Sequence, residues 1–330
     1  MKNVLCCFMV FLLFVCCAAY AEEEQEQVKV VTLTIVQEPY KLVYEEGELF
    51  DPTGIMINAT MSDGTVQENV AYKCRQKKEL TTRNSTVVFS YGGKNIEQKI
   101  TVKYRGNNER YSVESTPALE NSLLAGKTIL WLGSSVTYGY GSESESMVEF
   151  MDKRNGTKSI KLAVSGTTLA DIDDPQKEAS YVKRLETYIA SDSCLEQVDF
   201  FICQLSTNDM YLVDTLGEVT PENQIDISCF DKATTFGAME YMIALVRETW
   251  NCPIFFYTNS YIENENYARM VQALYQISEK WDVGVIDLYT DAAFNAITPE
   301  EKSLYMIDSV HPTKAGYREW WLKKFEEALQ

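Results

Sequence analysis

The chain holds one histidine, His311, among its 330 residues. That excludes a metal site built on several imidazoles. Cysteine is sparse once the first 21 residues are set aside. Cys6, Cys7, Cys16 and Cys17 fall in that segment, leaving Cys74, Cys194, Cys203, Cys229 and Cys252, widely spaced and with no C-x-x-C pair. The pattern is neither a disulfide scaffold nor a zinc site. Cys203 in "FFICQL" and Cys252 in "WNCPIFFY" sit in apolar runs and are expected in the core rather than as reactive thiols. Positive charge is also short: 30 Lys and Arg face 48 Asp and Glu, a net charge of −18. Such a surface repels phosphate backbones and anionic membranes, so no nucleic-acid partner is expected. Beyond the N-terminus no apolar run approaches membrane length. The glycine-rich "GSSVTYGYG" lacks both the lysine of a P-loop and the G-x-G-x-x-G spacing of a dinucleotide site.

What the sequence does contain is enough apolar residue for a sizeable core, 45% hydrophobic and 12% aromatic, on a length that favours two domains. Residues 1–21 carry Lys2, the apolar "VLCCFMVFLLFVCC" and "AYA" before "EEEQEQ". This is the layout of a signal peptide cleaved after Ala21, which implies a secreted or cell-surface protein with no membrane span after cleavage. A retained N-terminal anchor is the alternative. A lipid-modified Cys16 or Cys17 is disfavoured by the larger residues before them. Loss of Lys2 takes the net charge from −18 to −19.

Two textures follow. From Val28 to Tyr104, segments such as "VKVVTLTIVQ", "GIMINATMSDGTVQEN", "STVVFSYGG" and "QKITVKY" alternate apolar and polar residues between turn signals, with "SDGT" as a hairpin turn. They predict a small all-β sandwich over 28–104. Their wording and order resemble one copy of the bacterial Ig-like repeats of secreted and surface proteins, which implies a spacer or attachment module. Residues 105–122 have no sustained period and are expected to be a linker, with a short helix open to "PALENSLL". From 123 to 330, apolar strands "KTILWLG", "SIKLAV", "VDFFICQL", "PIFFYT" and "VGVIDL" alternate with amphipathic stretches beginning "SMVEF", "PQKEA", "FDKAT" and "NYARM". That alternation predicts a parallel sheet covered on both faces, with its ligand at the carboxyl ends of the strands.

Five strand-end or loop positions carry chemistry. Ser135, two residues past Gly133, would stand at the mouth of that crevice, though Gly-Ser-Ser can equally make a turn and cap a helix. A serine needs a base, and a base works best when a carboxylate fixes its tautomer. His311 is the sole histidine, and Asp308, three residues upstream, can fold back onto its Nδ1; a helix-capping histidine is the other reading. Gly166 after the second strand offers an unobstructed backbone N–H, and Asn208 after the third an amide, both suited to an oxyanion. Each could be an ordinary turn or cap residue, but the order Ser, Gly, Asn, Asp, His at successive strand ends is hard to assign to turns.

The segments "GSSVTYG", "SGTTL", "STND" and "DSVH" resemble the SGNH (GDSL-type) serine hydrolases from about Leu123 onward. The resemblance implies a three-layer α/β/α, flavodoxin-like domain that needs no metal or organic cofactor. It makes Ser135 the nucleophile, Asp308 and His311 the rest of the triad, and the Ser135 N–H, Gly166 and Asn208 the oxyanion hole. Three departures mark a divergent member: Ser134 stands for the aspartate of Gly-Asp-Ser, Ser206 for the glycine two before the asparagine, and no asparagine precedes Gly166 near Val164. Secretion, the Ig-like spacer and the aromatics Tyr138, Tyr140 and Tyr211 then suggest a carboxylic ester hydrolase removing acyl, above all acetyl, groups from polysaccharide or cell-wall glycan. The alternatives are a surface glycan-binding or adhesion protein without turnover, and an esterase or lipase acting on lipid esters.

Overall fold

The computed structural model describes residues 27–172, 179–211 and 216–330; the expected signal peptide lies outside them. The chain divides into two compact units. The first holds the described residues up to Lys41 with Asp51–Lys77 and Thr86–Lys99; the second holds Leu42–Phe50, Lys78–Ser85 and Ile100–Gln330.

In chain order the first eight strands are β1 (Val30–Gln37), β2 (Val43–Glu45), β3 (Met56–Met61), β4 (Val66–Gln67), β5 (Lys73–Cys74), β6 (Thr86–Tyr91), β7 (Lys94–Lys99) and β8 (Thr101–Lys103). The first unit contains two antiparallel sheets, β1-β3-β4 and β5-β6-β7. Alternation decides which side chains enter its core: Ile57 and Ala59 of β3, and Val87 and Phe89 of β6, are buried while their neighbours are not. The "SDGT" segment turns β3 into β4, with the Met61 N–H donating to Thr65 O and Asp63 accepting from the Thr65 N–H. In the second unit β2 and β8 pair in parallel.

The rest of the second unit is an α/β domain. Five strands, β9 (Thr128–Gly133), β10 (Lys158–Ala163), β11 (Phe200–Gln204), β12 (Ile254–Tyr257) and β13 (Gly284–Ile286), form one sheet in the order β10-β9-β11-β12-β13, every pair parallel. The helices are α1 (Ser135–Tyr138), α2 (Met147–Asn155), α3 (Tyr181–Ile189), α4 (Thr235–Thr249), α5 (Glu265–Trp281), α6 (Pro299–Tyr305) and α7 (Leu322–Leu329), the last entered through a π-helical turn, Gly316–Trp321. Strand period 2 splits the core into two layers. Leu130 and Leu132 of β9, with Phe201 and Cys203 of β11, pack in the cluster that holds Leu185 of α3, Met242 of α4 and Leu274 of α5. Ile129 and Trp131, with Ile202, pack in the cluster that holds Phe150 of α2, Trp321 of the π-helical turn and Phe325 of α7. A sheet buried on both faces explains why "TILWL" is apolar without alternation.

Caps set the helix starts. Ser146 and Glu149 form a capping box on α2, and Thr234 caps α4, so that helix begins at Thr235 although helical periodicity already runs from Phe230. Pro117 to Leu124, where a short helix was open, forms turns. Upstream of it, two 3₁₀ turns, Arg105–Asn107 and Glu109–Tyr111, belong to the second unit, and Gly106 and Asn107 are buried.

Candidate active site

The strand order places the site. From β9 the chain crosses to β10 on one side and then to β11 on the other, so the crevice opens at the carboxyl ends of β9 and β11. Ser135 follows β9, Gly166 follows β10, and Asn208 follows β11. All three line one cavity of about 520 Å³ together with Tyr140, Ser165, Thr207, Met210, Tyr211, Asp308, Ser309, Val310 and His311. The structure thus brings together Ser135, Gly166, Asn208, Asp308 and His311 with Tyr140 and Tyr211, while Tyr138 is not among the residues that line this cavity.

His311 Nε2 lies 2.8 Å from Ser135 Oγ. On the opposite side of the ring, Nδ1 lies 2.8 Å from Asp308 Oδ2 and 3.0 Å from Oδ1. Asp308 reaches Nδ1 because residues 307–311 form a tight loop: the Ile307 N–H donates to His311 O, and Asp308 Oδ1 accepts from the backbone N–H groups of Val310 and His311. Partial burial raises the Asp308 pKa, but the hydrogen bonds from the imidazole and the two backbone N–H groups outweigh it and hold the carboxyl below its ordinary range. Asp308 is therefore ionised and accepts from Nδ1–H, which leaves Nε2 to accept the serine proton. The Tyr140 ring lies 5.1 Å from the imidazole, centroid to centroid.

Ser135 opens the four-residue α1, a position whose N–H has no intrahelical acceptor. Gly166 has φ +80°, and an added Cβ would meet nothing within 4 Å; glycine is required there by backbone conformation alone. Asn208 donates one amide hydrogen to Thr167 O at 2.7 Å, which fixes the plane of the amide and ties the ends of β10 and β11 together. A second amide hydrogen remains for a ligand.

Several supporting residues carried no signal that sequence reasoning used. Gln204, at the end of β11, accepts from the Ser134 N–H, the Thr137 N–H and the Thr137 hydroxyl through its Oε1, and so holds the turn that presents Ser135. A glutamine ending an apolar strand was the available clue. Arg184 of α3 donates to Gly133 O at 2.6 Å and to Thr167 Oγ1 at 3.0 Å. Asp209, fully buried, accepts from the Leu169 and Ala170 N–H groups and from the Thr235 hydroxyl, anchoring the loop after Gly166. Burial raises the Asp209 pKa above the ordinary range against those bonds. Ser206, the departure from glycine, accepts from the Asn208 and Asp209 N–H groups through its hydroxyl and so caps the turn that carries Asn208. Among the described residues no three His, Cys, Asp or Glu side chains gather as a metal site, and the five cysteines are free. Burial pushes the Cys203 thiol well up and Cys252 up to about 11, which leaves both poorly nucleophilic.

Comparison with known proteins bears on this geometry. None of the curated proteins compared matches the chain. One solved structure shares 22% identity over 62% of this chain and 97% of its own, with a TM-score of 0.50; at that identity the likeness is one of fold. A member of the lipolytic protein G-D-S-L family from Veillonella parvula is 18% identical over 62% of this chain and 98% of its own, TM-score 0.43. A carbohydrate acetylesterase family member from Sinorhizobium meliloti is 18% identical over 61% and 96%, TM-score 0.42. The family model of the GDSL-like lipases and acylhydrolases matches residues 131–319, more than half of the chain, and that span includes Ser135, Gly166, Asn208, Asp308 and His311. The chain belongs to the GDSL-like lipase/acylhydrolase family, and it is an ester-bond hydrolase.

Proposed function

We propose that the protein is a secreted esterase that removes short acyl groups, above all acetyl, from carbohydrate by a serine mechanism. Ser135 Oγ attacks the ester carbonyl while His311 Nε2 takes its proton. The Ser135 and Gly166 N–H groups and the Asn208 amide hold the oxyanion, and Asp308 steadies the imidazolium. As the tetrahedral intermediate collapses, the bond from the acyl carbon to the sugar oxygen breaks and the imidazolium protonates that oxygen, so the sugar leaves as its hydroxyl and the acyl group stays on Ser135. Water, deprotonated by the same imidazole, attacks that acyl group and frees the carboxylic acid. The chemistry calls for no cofactor.

The observation that carries the substrate class is the lining of the cavity. Ser165, Thr207 and Ser309 line the cavity beside Ser135 together with Tyr140 and Tyr211, and Met210 and Val310 are its aliphatic residues. A long acyl chain needs a continuous apolar trough, whereas hydroxyls and aromatic faces suit a sugar. Tyr140 and Tyr211 are 61% and 70% exposed, free to take a ring face. In this reading residues 28–104 are an Ig-like spacer or surface-attachment module, and residues 1–21 are removed on export, so the exported protein begins at Glu22. The test is a chain-length series of p-nitrophenyl esters with a panel of acetylated glycans. Acetate should be the best ester and be released from at least one glycan; a preference for octanoate or longer would favour lipid esters instead.

A further inference from the structure

We propose that Asn107 is a positioning residue for the Ser135–His311 pair. It lies outside the span matched to the family, in a stretch that sequence texture marks as a linker. The inference rests on Ser135 and His311 forming the reacting pair and is independent of which ester is cleaved.

Asn107 ends the 3₁₀ turn Arg105–Asn107 and is 4% exposed. Its Nδ2 donates to Gly141 O at 2.9 Å, and its Oδ1 accepts the Lys314 N–H at 2.9 Å. Those partners belong to the two segments that carry the pair. Gly141 lies in the turn directly after α1, whose first residue is Ser135; Lys314 lies three residues past His311. One amide thus bridges the nucleophile's segment to the base's segment across 34 and 207 residues of sequence. The segments are in contact beneath that bridge: a Cβ on Gly141 would come within 2.6 Å of Pro312 O and 3.1 Å of His311 Cβ. Because both bonds are buried, losing the side chain leaves a carbonyl and an N–H without protein partners, and the two segments gain freedom to part.

Ion pairs run along the same seam. Lys314 Nζ lies 2.9 Å from Glu143 and 3.1 Å from Glu145, and Glu143 also pairs with Lys103 at 2.9 Å. Glu145 accepts from the Val113 N–H at 2.7 Å. These bonds hold the 103–113 chain against both segments, but Asn107 alone among these side chains joins backbone to backbone. A shift of about 1 Å between a nucleophile and its base is enough to cost roughly 100-fold in rate.

The experiment compares full-length wild type, Asn107→Ala, Asn107→Asp and the adjacent Asn108→Ala on p-nitrophenyl acetate. Asn108 caps the next 3₁₀ turn and bonds to Glu45, touching neither segment. Asn107→Ala is expected to lower kcat by roughly 10–100-fold with KM changed less than about twofold, and to slow fluorophosphonate labelling of Ser135 in proportion. Asn107→Asp keeps the acceptor for Lys314 but sets a carboxylate oxygen against Gly141 O, so it should also lose kcat. Asn108→Ala should keep wild-type kcat. If Asn107→Ala does not fold, Asn107→Asp decides. Wild-type kcat in the folded Asn107 variants, or an equal loss in Asn108→Ala, would overturn the proposal. Failure of wild type itself to label at Ser135 would instead overturn the reading on which the proposal rests.

Discussion

His311 Nε2 stands 2.8 Å from Ser135 Oγ although 176 residues separate them in sequence. Each residue is delivered by a different device. Ser135 is carried by the strand end of β9, held by Gln204 from the neighbouring strand, and His311 by a five-residue loop closed through the Ile307 N–H and the Asp308 carboxylate. The pair is therefore sensitive to changes in either support, and to changes in the donors that face it.

Asn208→Ala is expected to lower kcat by roughly 100-fold or more, since one oxyanion donor is worth ~3 kcal/mol of transition-state stabilisation. Steady-state kinetics check the rate, and a thermal melt separates this from the loss of the Asn208 bond to Thr167 O.

Gly166→Ala meets no steric obstacle, so its cost is the left-handed backbone, roughly 1–2 kcal/mol. If the loop relaxes to relieve that strain, the Gly166 N–H turns away from the oxyanion. The expected outcome is a small fall in melting temperature with a much larger fall in kcat, read by calorimetry and kinetics on one preparation.

The pH dependence follows from Asp308 and the single imidazole. The base must be neutral, so kcat/KM rises with pH as the imidazolium loses its proton. Asp308 is held below the ordinary carboxylate range, so it is ionised throughout that rise and lost only as pH falls through its own lowered value. The kcat/KM profile should therefore show no contribution from protonation of Asp308 until pH falls below the ordinary carboxylate range. Asp308→Asn should cut kcat by roughly 10⁴-fold by releasing the tautomer.

Away from the site, Lys280 and Glu240 form an ion pair at 2.5 Å with side chains 5% and 0% exposed. Glu240 also accepts from the Trp281 Nε1–H and from the Thr220 N–H and hydroxyl. Lys280→Met leaves that carboxylate buried without its cation and should destabilise the protein by about 3–5 kcal/mol in urea unfolding, with kcat of the folded fraction unchanged.

Ser135, Gly166 and Asn208 were legible because each follows an apolar run that forms a strand of the parallel sheet, whereas Asp308 and His311, in a loop after α6, were legible because His311 is the sole histidine and Asp308 lies three residues before it. The two-layer core was legible from the same apolar runs: strands without alternation, such as "TILWL", are buried on both faces. Supports that act through backbone atoms were not. Gln204 and Asp209 look like ordinary polar residues at a strand end and a turn, and only the folded chain shows which N–H groups they hold. Asn107 was least legible, since a texture without period gives no sign that one of its amides is buried between two remote segments.

The central claim, that Ser135 is the covalent nucleophile, is tested most directly by treating the full-length protein and its Ser135→Ala variant with a fluorophosphonate and reading intact mass and labelled peptide. The account predicts one adduct on wild type, located at Ser135, and none on the variant. An adduct that persists in Ser135→Ala, for example at Ser134, or a wild type that neither labels nor cleaves p-nitrophenyl acetate, would contradict it.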